Sequence, residues 1–250
     1  MVHRLLVGGA PVHGDDRSHP LATAAGVEGN AAVVAVLLAA GADPGAGRAG
    51  HRPLQEAVDP EVVGLLVAAG APLEIRAEEG MSPLEHAAHL GSEASVRILL
   101  QAGAAVRDSR AVAMSAHEGN GALVDLLLKS GAPIGEAAGT AESADVIARL
   151  LAAGADPDGG GSGGAWLFRS IILKDLPSVT LLLAAGADPA AADADGETAL
   201  MVAVISRSGP AMVDALLAAG ASKTAKDRHG LTAADHATRL GDAALAERLR

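Results

Sequence analysis

Three observations predict an all-α fold, a solenoid of short repeated helix pairs. First, one phrase recurs: two apolar residues, two linking residues, then Gly-Ala. It reads Leu37-Leu38-Ala39-Ala40-Gly41-Ala42-Asp43-Pro44 and returns as Leu150 to Pro157 and Leu182 to Pro189. Weaker copies end at Gly9, Gly70, Gly103, Gly131 and Gly220. Second, the intervals between these glycines run from 23 to 34 residues and gather near 33, a period of repeat arrays. Third, apolar residues make up 50% of the 250 residues but aromatic ones only 1%, and 58 residues are alanine. Strands favour β-branched and aromatic side chains. A broad sheet core is therefore excluded, and Leu, Val and Ala must pack in elements that approach closely.

Residues 1–18 are expected to hold the second helix of a partial repeat, followed by a polar connector. An array of about eight repeats then spans 19–250, some of them degenerate, in units near 19–48, 49–78, 79–106, 107–133, 134–160, 161–191, 192–225 and 226–250. Each unit reads as first helix, tight turn, second helix and connector. In the third, the spacing predicts a first helix over Pro83 to Leu90, with Ser82 as N-cap and Pro83 in the first turn. Gly91 ends it and Ser92 caps the next helix. Gly29-Asn30, Gly119-Asn120 and Gly241-Asp242 repeat that pair, and Asp59-Pro60 does the same job. Val96, Leu99 and Leu100 share one helical face, as do Val124, Leu127 and Leu128. The glycine after each such run is placed to take the left-handed conformation and stop the helix. Ala87, Ala88, Ala203 and Ala237 fall on first helices, where backbones can approach closely.

Two units are irregular. The fifth has a degenerate first helix, and the connector after Gly103 is too short for a full β-hairpin. The run Gly159-Gly160-Gly161-Ser162-Gly163-Gly164 reads either as a linker between two sub-arrays or as a flexible substitute for one hairpin finger. The regular interval from Gly154 to Gly186 favours the second and one continuous stack.

At these residues the chain resembles the ankyrin repeat family. Gly80-Met81-Ser82-Pro83-Leu84-Glu85-His86-Ala87-Ala88 stands against the family's Gly-x-Thr-Pro-Leu-His-x-Ala-Ala, and Gly50 to Ala57, Gly196 to Ala203 and Gly230 to Ala237 are further copies. The family's histidine is replaced by Gln55, Glu85, Met201 and Asp235. The resemblance implies an ankyrin-type solenoid with short or missing hairpin fingers. It also implies a non-catalytic scaffold or inhibitor that binds a partner protein along its concave helical face and connector tips.

Charge narrows the partner. Lys and Arg number 19 and Asp and Glu 30, a net −11 that is spread along the chain. Such a chain repels phosphate backbones, so nucleic acid is not expected as a partner. It attracts a protein with a basic surface. The absence of cysteine excludes disulfides and Cys-ligated zinc. No apolar run is long enough to span a membrane. The expectation is a soluble cytoplasmic monomer with no cofactor and no membrane association.

Candidate contact residues follow from the repeat frame: Glu56, His86, His89, Met114, His117, Trp166, Arg169, His236 and Arg239. Trp166 and Arg169 are residue types that often anchor interfaces. Trp166 packing against the glycine-rich connector is the competing reading. Glu74, Glu78 and Glu79 form an acidic connector. A metal-dependent hydrolase using Glu85, His86, His89 and His117 is the alternative function. His86 and His89 lie three apart on one short helix, and His117 holds the repeat position of His89. No motif of the His-Glu-x-x-His kind and no phosphate-loop ending accompanies them, so no metal site is expected.

Overall fold

Helices of four to nine residues are too short to hold in water alone, so each here is defined by its ends and by what it buries. The computed structural model describes residues 12, 19–47, 51–76, 80–107, 110–135, 137–159 and 165–250. The expectations for residues 1–18 (Val12 apart), for Glu78 and Glu79, and for residues 160–164 of the glycine run lie outside these. Among the described residues there are sixteen helices in eight pairs, no strand, and one isolated bridge between Ala192 and Thr198.

The pairs are α1 (Pro20–Ala25) with α2 (Ala31–Ala39), α3 (Pro53–Glu56) with α4 (Pro60–Ala68), and α5 (Pro83–His89) with α6 (Glu93–Gln101). Then come α7 (Ala111–His117) with α8 (Gly121–Lys129), α9 (Ala137–Thr140) with α10 (Ala144–Ala152), and α11 (Ala165–Ile172) with α12 (Leu176–Ala184). The last are α13 (Ala199–Ile205) with α14 (Pro210–Ala218), and α15 (Ala233–Arg239) with α16 (Ala243–Leu249). The chain divides into two compact units. One runs to Ser115 and adds Leu126–Pro133; the other takes Ala116–Asp125 and Ile134–Arg250.

Within each unit the packing rule is the same. In the first, α1 packs on α3 and α3 on α5, while α2 packs on α4 and α4 on α6. In the second, α9 packs on α11, α11 on α13 and α13 on α15, while α10 packs on α12 and α12 on α14. The apolar stripe of each helix pair is therefore covered by the next pair. Leu54, Leu66, Leu84, Val96 and Leu99 form the core of the first unit, and Ile147, Leu150, Leu167, Leu182, Leu200 and Leu216 that of the second. Each fully buried leucine stabilises its stack by about 1.5–3 kcal/mol.

The Gly-Ala phrase has a specific physical cause. At the end of α4, Gly70 adopts φ +84. Its N–H donates to the Val67 carbonyl at 3.0 Å, and the Ala71 N–H donates to the Leu66 carbonyl at 3.0 Å. That is the paired closure a left-handed residue permits at a helix end. Ala71 is then folded under the helix and buried, as are Ala42, Ala104, Ala132, Ala155, Ala187 and Ala221 after their own glycines. The glycine is required by its left-handed backbone and not by space, since nothing lies within 4 Å of where a Cβ on Gly70 would be.

Helix starts agree with the sequence in most repeats. Ser82 accepts from the Glu85 N–H at 3.2 Å while Glu85 accepts from the Ser82 N–H at 2.9 Å, a reciprocal cap. Asp59, Ser92, Asn120 and Asp242 cap the second helices that follow them. Asn30 does not: its side chain makes no cap hydrogen bond, and α2 begins on backbone contacts alone. The helix expected to end at Leu90 ends at His89, with Leu90 as its C-cap.

Among the described residues, two short turns of the second unit stand where hairpin fingers would be. Asp193 Oδ1 accepts from the N–H groups of Asp195 and Glu197, each at 2.9 Å. Asp227 Oδ1 accepts from those of His229 and Leu231, at 2.8 and 2.9 Å. The Arg228 N–H donates to the Asp195 carbonyl at 3.0 Å, and the Arg228 guanidinium pairs with the Asp195 carboxylate, so the two turns lie side by side.

Candidate protein-binding faces

In the first unit the ends of α3 and α5 bring Glu56 and His86 near one another. Glu56 Oε1 lies 2.8 Å from His51 Nδ1. Burial holds the His86 imidazole below the usual histidine range; the Glu56 charge opposes this and His89 adds to it. His86 Nε2 is buried without a hydrogen-bond partner among the described residues. His89 is exposed and Met114, on α7, is half-buried.

Glu85 lies on the same helix as His86 but is wholly buried. Besides its cap to Ser82, it accepts from the Arg110 N–H at 2.8 Å and pairs with the Arg76 guanidinium at 3.0 Å. Burial pushes its carboxyl up. The hydrogen bonds from Arg110 and Ser82 and the charges of Arg76 and Arg110 outweigh that and hold it below the usual glutamate range. Both oxygens are occupied, so Glu85 serves the fold and is not a free base beside His86 and His89, as the hydrolase reading requires. His117 belongs to the second unit.

In the second unit Glu142 gathers two of the expected contact residues. His117 Nδ1 lies 3.7 Å from Glu142 Oε1, and the Arg169 guanidinium pairs with the same oxygen. All three side chains are partly exposed. One turn beyond Arg169 come Ile172, the last residue of α11, and Leu173 just past it, 59% and 50% exposed, and Ile205 at the end of α13 is exposed as well. Ser208 Oγ donates to the Ile171 carbonyl at 2.9 Å, which brings these two helix ends together. No signal in the residues marks this apolar strip, because Ile171, one position before Ile172, is fully buried.

Trp166 requires correction. It is fully buried and therefore closed to a partner. Its Cβ lies 3.2 Å from where a Cβ on Gly159 would be, so glycine at that position, with φ +62, lets the indole pack down on the connector. His236 also differs from expectation. It is half-buried and turned to Asp227, with Nε2 2.8 Å from Asp227 Oδ2. Arg239 is exposed.

Among the described residues one set of side chains converges as metal donors do: Glu197, Asp227 and His236, whose donor atoms all lie within 4.8 Å of one another. None was singled out from sequence as a ligand, because they come from a turn, the next turn and a helix. No described helix is long and apolar enough to cross a membrane.

Helix pairs closed by Gly-Ala and stacked first helix on first helix define an ankyrin repeat solenoid. Residues 167–250 match the family model described as ankyrin repeats (3 copies). Among solved structures, the human ASB11 ankyrin repeat domain matches with a TM-score of 0.71 at 24% identity, covering 81% of this chain and 98% of that one. No curated protein matches the chain.

Proposed function

We propose that this protein is a non-catalytic binding module that holds a partner protein against the exposed face of its first helices. The observation that carries this reading is the strip formed by Ile172, Leu173 and Ile205 beside the His117–Glu142–Arg169 cluster. Large apolar side chains exposed together and rimmed by polar ones mark interaction surfaces. Glu56, His86, His89 and Met114 are the corresponding contacts in the first unit, and Arg239 a further one in the second. The partner offers a basic surface, drawn by the net charge of −11. The module acts as a cytoplasmic monomer in this reading.

The test starts from a partner recovered by pull-down from the native cell, titrated against purified variants at two salt concentrations. Ile172→Ala and Arg169→Ala are each expected to weaken binding by more than about 1 kcal/mol, and Glu28→Ala to change it little. Affinity is expected to fall at the higher salt, because screening acts within about 8 Å at physiological ionic strength. Unchanged affinity in both variants, with circular dichroism unaltered, would remove the site from this face. Salt-independent affinity would remove the basic partner.

A further inference from the structure

We propose that Glu197, Asp227 and His236 form a divalent-cation site that ties the last two repeats together. Asp227 is 6% exposed, and its Oδ1 is fully used by the His229 and Leu231 N–H groups. These bonds orient the carboxylate and leave Oδ2 directed at His236 Nε2, 2.8 Å away. Backbone donors behind a carboxylate are the kind of support that fixes a metal ligand. His236 is placed by α15, whose start is set by the reciprocal cap of Thr232 and Asp235. Glu197 comes from the preceding turn, with its own N–H held by Asp193.

Charge is the argument for an ion. Two carboxylates share one imidazole within 4.8 Å, and one of them is buried. The Glu197 side chain makes no hydrogen bond or ion pair among the described residues. Arg228, next to Asp227 in the chain, is taken by Asp195. Asp235 Oδ2 accepts from both the N–H and the hydroxyl of Thr232. A single imidazole, even protonated, balances one carboxylate; a divalent cation balances both and uses all three donors.

Geometry and donor type favour zinc. A tetrahedral ion bound at about 2.0–2.2 Å by nitrogen and oxygen sets its ligand atoms about 3.3 Å apart. Opening the His236–Asp227 pair slightly and swinging in the flexible Glu197 side chain reaches that arrangement. Three protein donors leave a fourth position for water or for a group on a bound partner. The ion would bridge two repeats, because Glu197 leads into α13 whereas Asp227 and His236 belong to the turn and helix of the next repeat. Stability of the C-terminal repeats would then rise with zinc concentration, since the folded chain alone assembles the site.

The experiment is a calorimetric titration of the full chain, stripped with chelator, with zinc alone, paired with thermal unfolding with and without zinc. One ion per chain is expected to bind and the unfolding midpoint to rise. Glu197→Gln and His236→Gln should each weaken binding at least tenfold and abolish the rise, whereas His51→Gln should leave both unchanged and so exclude adventitious binding by exposed histidine. Glu197→Gln removes no contact of the folded chain, so it remains decisive even if His236→Gln unfolds. Absence of stoichiometric binding, or zinc stabilisation that persists in Glu197→Gln, would overturn the proposal. Neither outcome depends on the protein-binding face.

Discussion

In the second unit, the turn between repeats is held by its own aspartate: Asp193 reaches backbone N–H groups two and four residues on, and Asp227 does the same one repeat later. Latches from far away hold connector N–H groups in both units: in the second, the Asp188 N–H donates to Asp158 across 30 residues at 2.8 Å, and two such latches stand in the first. Ala105 donates to Glu74 across 31 residues at 2.6 Å, and Arg110 donates to the buried Glu85 across 25. A local turn needs only its own few residues in place. A long-range latch forms only when two successive repeats are already stacked, so at these latched connectors turn and stack stand or fall together.

Core truncation in each unit should have the largest effect. Trp166→Ala is expected to destabilise by about 3–5 kcal/mol and Leu84→Ala by about 2–5 kcal/mol, measured by urea unfolding followed by circular dichroism. A Trp166→Ala effect below about 1 kcal/mol would return the indole to the surface and restore it as a contact residue.

Glu85→Gln should come next, at about 2–3 kcal/mol, because hydrogen bonds to a charged acceptor are lost and an amide is set against two N–H donors. The same substitution tests pH dependence. Glu85 has a folded pKa below the ordinary glutamate value. Its contribution is therefore complete above that ordinary value and is lost as pH falls through the lower, folded one. Unfolding free energies of the native chain should fall over that acid window more steeply than those of Glu85→Gln. Parallel curves would show that Arg76 and the Arg110 and Ser82 N–H groups do not stabilise the charged form.

Asp193→Ala should have the smallest effect, about 1 kcal/mol, since it breaks two hydrogen bonds at an exposed turn. Hydrogen exchange should accelerate at the Asp195 and Glu197 amides and stay unchanged at His229 and Leu231. Acceleration spreading to the later turn would show that the two turns are cooperative and erase the contrast with the latched connectors.

Much of this was legible in the residues. Ser82 followed by Pro83 foretold the start of α5, and Glu85 makes the cap reciprocal. Where glutamate or aspartate replaces the family's histidine, the cap bond is supplied by the replacement itself: Glu85 to the Ser82 N–H and Asp235 to the Thr232 N–H. Gln55 does different work, donating to the Ile75 carbonyl at 2.8 Å. For Trp166 the residues left two readings open, a partner contact and packing on the glycine-rich connector, and the structure decided for packing, on Gly159 seven positions away. The exposure of Ile172, Leu173 and Ile205 was not legible, as the same residue types fill the core one turn earlier.

Periodicity, glycine stops and caps are short-range constraints, and a short-range constraint can be read from neighbours in the chain. They set the helix pairs, their order and the alanines folded beneath each stop. Which side chains meet across repeats depends on the stacking of one pair on the next. Glu142 joined His117 to Arg169, and Glu197, Asp227 and His236 converged, only through that stacking. Their positions along the chain share no period that marks them, and three-dimensional proximity alone gives them a common chemistry.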